Sequence, residues 1–269
     1  MGAQRVLITG GGSGLGRAIA LRYAHAGWRV GLADISLERA EAVAAEVRAL
    51  GAQADAFHVD VASDASVLAL RDEVNARWGG VDHLYNNAGV VSGGNLLQTS
   101  IDDWRWMLDI NLLSVVRGCL AFLPGMVEQG GGRIVNTASF AALAGAGGLC
   151  SYSVAKASVV TLSETLRAEL ALADSAVGVS VLCPSFFRTN LLENFRGPER
   201  TRDMAQKLMD KAVVNADDIA AAVVDAVMAG RFMIIPTAPE RGRWRIKRFL
   251  PEFYFRKLVA ALRAAGRRA

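Results

Sequence analysis

Short apolar runs alternate with longer amphipathic runs along most of this chain. The short runs have strand length and are almost continuously hydrophobic, as in Arg5-Val-Leu-Ile8. Strands that are buried on both faces of a parallel sheet have this pattern, and the amphipathic runs between them form helical crossovers. We predict strands over residues 5–9, 29–34, 54–59, 82–86, 132–137, 177–183 and 232–235, and helices over residues 15–26, 37–50, 64–78, 101–128, 152–173 and 216–229.

This alternation predicts an α/β fold with a doubly wound, Rossmann-type parallel sheet of about seven strands and helices on both faces. A chain of 269 residues is long enough for one such domain, and no repeat or low-complexity segment divides it. We expect a catalytic domain over residues 1–239 and a partly helical extension over residues 240–269. Ligands of open parallel sheets bind at the carboxyl ends of the strands.

The first strand is followed by a glycine-rich turn, Thr9-Gly-Gly-Gly-Ser-Gly-Leu-Gly16, that opens a helix. Gly10 permits a tight turn, Gly14 lets a pyrophosphate approach the backbone, and Gly16 lets the helix pack closely on the strand. No lysine closes the motif, so it is not a phosphate loop of the nucleotide triphosphatase type. Bare N–H groups at a helix N-terminus bind phosphate, whereas the alternative is a turn without a ligand.

The second strand ends in Asp34, 18 residues after Gly16. A carboxylate at this place accepts hydrogen bonds from both ribose hydroxyls of an adenosine and repels a 2′-phosphate. Neither Ile35 nor Ser36 is basic, so the sequence favours NAD over NADP. The alternative role for Asp34 is to cap the following helix, for which Ser36 also qualifies.

Four residues form a candidate catalytic set. Tyr152 and Lys156 are four positions apart in a helical run and therefore lie on one helix face, where the ammonium lowers the pKa of the phenol. Ser139 follows a predicted strand and has a hydroxyl that can hydrogen-bond a substrate oxygen. Asn111 lies in the middle of a long helical run, where asparagine is unfavourable unless its amide holds a kink or a water. Each residue taken singly also has an ordinary structural explanation.

Together these motifs resemble the short-chain dehydrogenase/reductase family from about residue 4 to about residue 236. The resemblance rests on Thr9-Gly10-x-x-x-Gly14-x-Gly16, Asp60-Val61, Asn86-Asn87-Ala88-Gly89, Asn111, Ser139 and Tyr152-x-x-x-Lys156, all in the order of the family. It implies that Asp60 and Val61 contact the adenine and that Thr189 contacts the nicotinamide carboxamide. The full set expected at the cofactor is Gly10, Ser13, Gly14, Leu15, Gly16, Asp34, Ile35, Asp60, Val61, Asn87, Ala88, Gly89, Tyr152, Lys156, Pro184 and Thr189.

The resemblance also implies a mechanism. Tyr152 acts as general acid or base on the substrate oxygen, and Ser139 stabilises the charge that develops there. Lys156 lowers the pKa of Tyr152 and holds the nicotinamide ribose, while Asn111 anchors a water that connects Lys156 to solvent. We therefore expect an NAD-dependent enzyme that interconverts a secondary alcohol and a ketone. The alternatives are an NADPH-dependent 3-oxoacyl or carbonyl reductase and a catalytically silent dinucleotide-binding regulator.

The expected substrate wall is small and apolar. It runs from Phe140 to Cys150 and continues through Phe186 and the loop over residues 190–212. Few charged groups in the first of these segments can hold a carboxylate or a phosphate, so we expect a hydrophobic alcohol or ketone. The residues expected at the substrate are Ser139, Phe140, Tyr152 and Phe186.

Two departures from the family pattern affect the loop near the cofactor and the assembly. Pro184-Ser185 replaces the usual Pro-Gly, and Phe232-Met-Ile-Ile-Pro-Thr-Ala238 replaces a Val-Asp-Gly-Gly-like ending. The family's common tetramer contact uses the strand at that ending. We expect a homodimer through the predicted helices 101–128 and 152–173, or a homotetramer.

The basic character of the chain is concentrated at its C-terminus. Residues 240–269 hold ten Lys or Arg and two acids, a net charge of +8, which leaves −4 for the rest of a chain whose total is +4. The overall charge therefore does not indicate nucleic-acid binding. Phe255, Leu258, Val259 and Leu262 form an apolar stripe, and Arg256, Arg263 and Arg267 lie on another face. Two hypotheses follow for residues 241–269: peripheral contact with an anionic membrane, or packing on the subunit itself or on a partner in a way that closes the pocket.

Cysteine and histidine usage favours a reducing compartment without a metal site. The three cysteines, Cys119, Cys150 and Cys183, have neither the spacing of metal ligands nor the even number of a disulfide framework. The first predicted strand begins at residue 5, so we expect no signal peptide. We expect a cytoplasmic protein. A peripheral position at the inner face of the membrane is the alternative that the basic extension suggests.

Overall fold

A computed structural model describes residues 3–266 of this chain. Its centre is a sheet of seven strands, all parallel, in the order β3-β2-β1-β4-β5-β6-β7. The doubly wound fold predicted from the apolar pattern is therefore confirmed. The strands are β1 (Arg5–Thr9), β2 (Arg29–Asp34), β3 (Ala54–His58), β4 (His83–Asn86), β5 (Gly132–Thr137), β6 (Val177–Leu182) and β7 (Met233–Ile234).

Helices cover both faces of this sheet. They are α1 (Gly14–His25), α2 (Leu37–Ala49), α3 (Asp64–Trp78), α4 (Ile101–Leu108), α5 (Ser114–Glu128), α6 (Phe140–Ala144), α7 (Cys150–Leu172), α8 (Glu199–Asp210), α9 (Ala216–Met228), α10 (Ala238–Phe249) and α11 (Pro251–Gly266). Successive residues of β1 point into opposite core layers, since Ile8 packs with α1 and α9 whereas Leu7 packs with α3, α5 and α7.

Three helical segments differ from the sequence prediction. The single helix expected over residues 101–128 is divided into α4 and α5 by a π-helical turn over Asp109–Leu113. The short α6 and the polar α8 were not predicted. In α6 an apolar run of five residues is too short to show a helical period, and in α8 only Ala205 and Met209 are buried. Residues 267–269 of the predicted extension, including Arg267, lie outside the described residues.

The strand order reverses between β1 and β4, so a crevice opens where these two strands end. Ile8 is paired with Tyr85 across this junction, and Thr9 is paired with Ala33 on the other side of β1. The glycine-rich turn after Thr9 and the Asn87 segment after β4 therefore meet at one place. The fold itself positions the candidate site.

A chain of buried amide hydrogen bonds crosses the middle of the sheet. Asn86 Nδ2 on β4 donates to Asn136 Oδ1 on β5 at 2.9 Å, and Asn136 Nδ2 donates to Ser163 Oγ on α7 at 3.0 Å. Gly118 of α5 lies against the Asn86 amide, because a Cβ at Gly118 would be 2.0 Å from Asn86 Oδ1. These contacts fix α5 and α7 against the central strands.

The C-terminal helices pack on the domain. The predicted division after residue 239 falls within the first turn of α10. Glu240 is buried, Trp244 packs against the core layer formed with α3, α5 and α7, and Lys247 Nζ donates to Leu143 O of α6 at 2.6 Å. A separate extension beginning at residue 240 thus remains a prediction, and α10 lies against the doubly wound fold.

One helical stretch in residues 3–266 has the length and composition of a membrane span. It is Ile101–Glu128, the segment that includes α4 and α5, with a mean hydropathy of 1.7 over its most apolar window. Forty-four per cent of that window is buried inside the fold. Core helices of globular domains pass the same test, so this stretch is weak evidence for a membrane segment.

Candidate active site

Two adjoining cavities occupy the carboxyl ends of the strands. The first, the glycine cleft, has a volume of about 580 Å³ and is lined by the glycine turn, Asp34, Asp60 and the segment after β4. The second, the apolar cavity, has a volume of about 600 Å³ and contains Ser139 and Tyr152. Thr189 and Leu191 line both cavities, so the segment after β6 forms their common wall.

The glycine turn has the geometry that close backbone approach requires. Gly10 has a φ of +63°, and a Cβ there would lie 2.9 Å from Ala88 Cα. Gly14 has a φ of +51°, and its Cβ would lie 2.6 Å from Thr189 Oγ1. A Cβ at Gly16 would lie 2.1 Å from Gly10 O, so this residue packs α1 against the turn. Any side chain at these three positions would collide with the walls of the cleft or with the turn.

The N-terminus of α1 suits an anionic ligand. Ser13 is the N-cap residue, but its side chain makes no capping hydrogen bond, and the first turn of α1 contains no acidic residue. Ser13, Gly14 and Leu15 all line the cleft. The free N–H groups and the positive end of the helix dipole are thus available to a pyrophosphate, which fits a dinucleotide.

Asp34 is held at the end of β2 by two backbone groups. Its Oδ2 accepts from Gly12 N at 2.9 Å, and its Oδ1 accepts from Ser36 N at 3.0 Å. The cap of α2 is Ser36, whose hydroxyl accepts from Arg39 N at 3.3 Å. The capping role is therefore filled by Ser36, and Asp34 presents its carboxylate to the cleft beside Ile35.

The segment after β4 joins three strands beneath the cleft. Asn87 N donates to Thr9 Oγ1 at 3.0 Å, and Asn87 Nδ2 donates to Thr9 O at 3.1 Å. Thr137 Oγ1 donates to Asn87 Oδ1 at 3.4 Å, which adds β5 to the connection. Ala88 and Gly89 continue along the cleft, and Asp60 and Val61 line it from the end of β3.

Tyr152 and Lys156 lie on one face of α7 but have different surroundings. Tyr152 lines the apolar cavity, whereas Lys156 is buried below it and lines neither cavity. Lys156 Nζ donates to Thr137 O at 2.8 Å and lies 6.0 Å from the centre of the Tyr152 ring. Burial lowers the pKa of Lys156 to about 8, while the nearby Cys183 thiol acts in the opposite direction.

The pKa of Tyr152 departs from the sequence expectation. The ammonium of Lys156 was expected to lower it, but burial of the phenol raises the pKa of Tyr152 above its ordinary value. A hydrogen bond with Ser139 acts against this rise. The Lys156 ammonium is directed to the Thr137 carbonyl and not to the phenol oxygen, so desolvation dominates.

Ser139 is positioned by the start of α6. It is the N-cap of that helix, and its Oγ accepts from Ala141 N at 3.1 Å. Its backbone is extended, and the next residue is fixed to the segment after β6 because Phe140 N donates to Pro184 O at 2.8 Å. The hydroxyls of Ser139 and Tyr152 thus lie together on the wall of the apolar cavity.

Asn111 lies fully buried in the π-helical turn between α4 and α5. Its Nδ2 donates to Val90 O at 3.0 Å, and its Oδ1 accepts from Val90 N at 3.2 Å. A Cβ at Gly89 would lie 2.8 Å from Asn111 Oδ1 and 3.3 Å from Lys156 Nζ. The amide therefore fixes the backbone next to Gly89, close to Lys156. The water relay expected at Asn111 stays a prediction.

The apolar cavity contains the four expected substrate residues, Ser139, Phe140, Tyr152 and Phe186, and also Pro184. Sequence reasoning did not identify which C-terminal residues complete it. Those residues, from α10 and α11, are Arg243, Ile246, Phe253, Tyr254, Lys257, Leu258 and Ala261. The apolar stripe containing Leu258 was the available signal. Of the two tail hypotheses, packing over the subunit's own pocket is the one that describes these contacts.

The glycine cleft also contains charged residues that the sequence did not single out. Arg39, in the first turn of α2, forms a two-pronged ion pair with Glu193 of the segment after β6. Arg196 stacks on Trp106, with its guanidinium carbon 4.0 Å from the ring centre. The only available signals were the short separations of Arg39 from Asp34 and of Glu193 from Thr189 along the chain.

Comparison with known proteins places this architecture in a family. The profile described as short chain dehydrogenase matches residues 4–200. The probable oxidoreductase EphD of Mycobacterium tuberculosis is 36% identical over 262 residues, which are 93% of this chain and 44% of that protein, so the chain spans less than half of this relative. The meso-2,3-butanediol dehydrogenase of Serratia marcescens is 37% identical over 198 residues, covering 74% of this chain and 76% of that protein.

Solved structures give the same result. A short-chain dehydrogenase/reductase from Burkholderia phymatum in complex with NAD superposes with a TM-score of 0.87 at 33% identity, over 93% of this chain and 95% of that chain. The structural matches include complexes with NAD and with NADPH, which supports a nicotinamide dinucleotide as the cofactor class. The chain therefore belongs to the short-chain dehydrogenase/reductase family.

Proposed function

We propose that this protein uses NAD to interconvert a hydrophobic secondary alcohol and its ketone. The observation that carries the proposal is the placement of the paired Ser139 and Tyr152 hydroxyls on the wall of an apolar cavity that adjoins the glycine cleft. Hydroxyl groups that share a hydrogen bond in an apolar site suit proton exchange with a carbonyl or alcohol oxygen.

The residues of the glycine cleft are arranged to hold the coenzyme. The N–H groups at the start of α1 would take the pyrophosphate, and Asp34 would accept the hydroxyls of the adenosine ribose. Asp60 and Val61 would contact the adenine, and Thr189, in the common wall of the two cavities, lies where the nicotinamide end would meet the substrate. When bound, the coenzyme would donate or accept the hydride, and the residues named here would bind and orient it.

Tyr152 would exchange the proton of the substrate oxygen, and Ser139 would hold that oxygen in place by a hydrogen bond. Because burial raises the pKa of Tyr152, the phenol is neutral near pH 7 and is ready to donate a proton in the reduction of a ketone. Lys156, protonated at that pH and fixed on Thr137 O, supplies positive charge beneath the site. In the oxidation direction this charge favours the phenolate.

The dimensions and lining of the apolar cavity support a bulky hydrophobic substrate. Its volume is about 600 Å³, in the range of cavities that hold drug-sized ligands. Among the described residues that line it, the charged side chains are Arg243 and Lys257, both from the C-terminal helices. A small polyol would leave most of this surface unfilled, so we expect turnover to favour large, uncharged alcohols or ketones.

Paired fluorescence titrations of the wild-type protein with NADH and NADPH test the coenzyme assignment. Tight NADH binding and weak NADPH binding would support Asp34 as the selecting group. Preference for NADPH would favour the alternative function, an NADPH-dependent 3-oxoacyl or carbonyl reductase, for which Arg39 beside Asp34 is the structural argument. Binding of neither coenzyme would contradict both.

We also propose a location and an assembly. The C-terminal helices expose Phe249, Leu250 and Phe255 near Arg248 and Arg256, a combination that suits an anionic membrane surface. A cytoplasmic protein with peripheral contact at the inner membrane face would meet hydrophobic substrates there.

A homodimer or homotetramer is the proposed assembly. The helices α5 and α7 expose Leu120 and Leu172, with exposed fractions of 72% and 86%, and a second copy packed on these helices would remove such apolar side chains from water. Analytical ultracentrifugation of the wild type beside a Leu120→Gln, Leu172→Gln double variant tests this. A smaller species for the variant would support the contact, and a wild type that sediments as a monomer would contradict it.

A further inference from the structure

An ion pair connects the two sides of the glycine cleft near Asp34. Arg39 Nη1 on α2 donates to Glu193 Oε2 at 2.8 Å, and the other terminal nitrogen of Arg39 donates to Glu193 Oε1. Both side chains line the cleft, and both are about half exposed. The two residues are 154 positions apart, so the fold alone brings them together.

Arg39 is next to the carboxylate that would hold the adenosine ribose. A Cβ at Gly12 would lie 2.8 Å from Arg39 Cβ and 2.9 Å from Asp34 Oδ2, which places both residues on the same glycine. The negative charge of Asp34 also contributes to a raised pKa for Arg39, after the larger effect of Glu193. A phosphate on the ribose 2′-oxygen would therefore enter the neighbourhood of the Arg39 guanidinium.

Glu193 occupies the end of the Arg39 guanidinium, because its carboxylate takes a hydrogen bond from each of the two terminal nitrogens. Two N–H groups in a planar fork match either a carboxylate or a phosphate, but not both at once. The other guanidinium on the cleft wall, Arg196, stacks on Trp106 and pairs through its backbone with Val91. Arg196 is thus held by Trp106 and Val91, whereas Arg39 lies against Gly12 beside Asp34.

We propose that Glu193 is a coenzyme-specificity residue. It keeps Arg39 in an ion pair and so withholds from the 2′-phosphate of NADP the cation that stands beside Asp34. Glu193 also adds a second carboxylate to the cleft wall, from the segment opposite Asp34. The discrimination against NADP would then come from two segments, the end of β2 and the wall shared with the apolar cavity. The inference rests on the proposed NAD-dependent function.

The test is a binding cycle with the full-length protein. Glu193→Gln releases Arg39, and we expect NADPH to bind roughly three- to tenfold more tightly while NADH affinity changes less than about twofold. Arg39→Gln combined with Glu193→Gln should cancel the gain. Glu199→Gln removes the same charge from the first residue of α8, outside the cleft, and should leave both affinities unchanged. Thermal unfolding verifies that each variant folds.

The salt dependence of binding supplies a second readout. A gain in NADPH affinity that comes from a freed guanidinium must weaken as ionic strength rises. Two results would overturn the inference while the proposed function stands: NADH binding to the wild type with no NADPH gain in Glu193→Gln, or an equal gain in the double variant. If the wild type binds neither coenzyme, or prefers NADPH, the NAD-dependent function and this inference both fail.

Discussion

Burial shifts the pKa values of Tyr152 and Lys156 in opposite directions, and in each case toward the neutral side chain. The phenol becomes a weaker acid, and the pKa of the ammonium falls to about 8. The two shifts have one cause, which is the removal of water from the place where α7 meets β5. For the proposed chemistry, the protein alone prepares Tyr152 as a proton donor, and its action as a base depends on positive charge nearby.

Replacing Tyr152 by Phe tests this assignment at the level of a single oxygen atom. The variant keeps the ring in its buried place but has no proton to exchange, so we expect turnover to fall by at least about a hundredfold. NADH affinity should change little, because Tyr152 lines the apolar cavity and not the glycine cleft. Steady-state rates and a fluorescence titration separate the two effects, and a variant that retains most of its kcat would refute the role.

His83 gives the fold a pH dependence that is independent of catalysis. Its ring lies 2.7 Å from the Tyr23 hydroxyl and packs against Trp28, and burial lowers its pKa to about 4. The unfolded chain binds a proton near the ordinary pKa of 6.5, well before the folded protein does. The free energy of unfolding should therefore decrease as the pH falls from about 6.5 to about 4, by about 3 kcal/mol in total.

Urea unfolding at several pH values between about 7 and 4.5 measures this contribution. Carboxylates add their own pH dependence, so the informative quantity is the difference between the wild type and His83→Gln. The glutamine keeps a polar partner for Tyr23 but takes up no proton, and its stability should fall less steeply with acid. Parallel curves of unfolding free energy against pH for the two proteins would show that His83 contributes nothing to the pH dependence of stability.

At the scale of an element, α5 contains two glycines with opposite surroundings. A Cβ at Gly118 would lie 2.0 Å from Asn86 Oδ1, inside the buried amide chain, whereas a Cβ at Gly125 would meet no atom within 4 Å. Gly118→Ala should reduce the free energy of unfolding by about 1–3 kcal/mol, because the Asn86 amide must move. Gly125→Ala should raise it by about 0.4–1 kcal/mol through the lower entropy of the unfolded chain.

Chemical denaturation of the two alanine variants, compared with the wild type, is the measurement. Both changes add one methyl group to the same helix, so helix propensity alone predicts stabilisation in both. A Gly118→Ala variant as stable as Gly125→Ala would mean that the Asn86–Asn136–Ser163 chain tolerates displacement, and the tight packing inferred for α5 would be wrong.

Helices and strands were predictable where a local pattern of apolar residues determines them. They were less predictable where contacts between distant segments determine the local structure. The seven strands and the helices of the doubly wound core follow from apolar runs and turn residues, and their predicted bounds differ from the observed ones by a few residues at most. The π-helical turn at Asn111 was expected only as a kink, since its cause is the backbone of Val90. Helix α8 has too few buried residues to show a period.

The same distinction applies to the candidate site. The glycine turn, Asp34 and the Tyr152–Lys156 pair are sequence motifs, and the structure brings them to adjoining cavities. The Arg39–Glu193 ion pair and the C-terminal wall of the apolar cavity depend on segments that meet only in the folded chain. The predicted direction of the Tyr152 pKa shift was wrong, because neither the distance from Lys156 to Tyr152 nor the extent of burial is visible in a sequence.

At the scale of the whole molecule, the C-terminal helices present some side chains to the apolar cavity and others to solvent. Leu258 lines the apolar cavity, whereas Phe249 and Phe255 have exposed fractions of 74% and 58%. A full-length Phe249→Ser, Phe255→Ser variant should lose flotation with anionic vesicles, because these side chains would enter the lipid interface. Leu258→Ala should float like the wild type and instead raise KM for a hydrophobic substrate.

The flotation is measured at low and at high salt, since attraction of a basic surface to anionic lipid weakens with ionic strength. A wild type that does not float even at low salt would remove the membrane contact. The C-terminal helices would then serve only to enclose the apolar cavity, a role that the Leu258→Ala kinetics test separately.

The most direct test of the central claim is the initial rate of NADH formation from NAD with a series of secondary alcohols of increasing apolar size. We predict measurable oxidation whose kcat/KM rises with apolar size until the cavity is filled, and which Tyr152→Phe abolishes. A protein that binds NADH, forms none from any alcohol and consumes none with the matching ketones would contradict the claim and would indicate a silent dinucleotide-binding regulator.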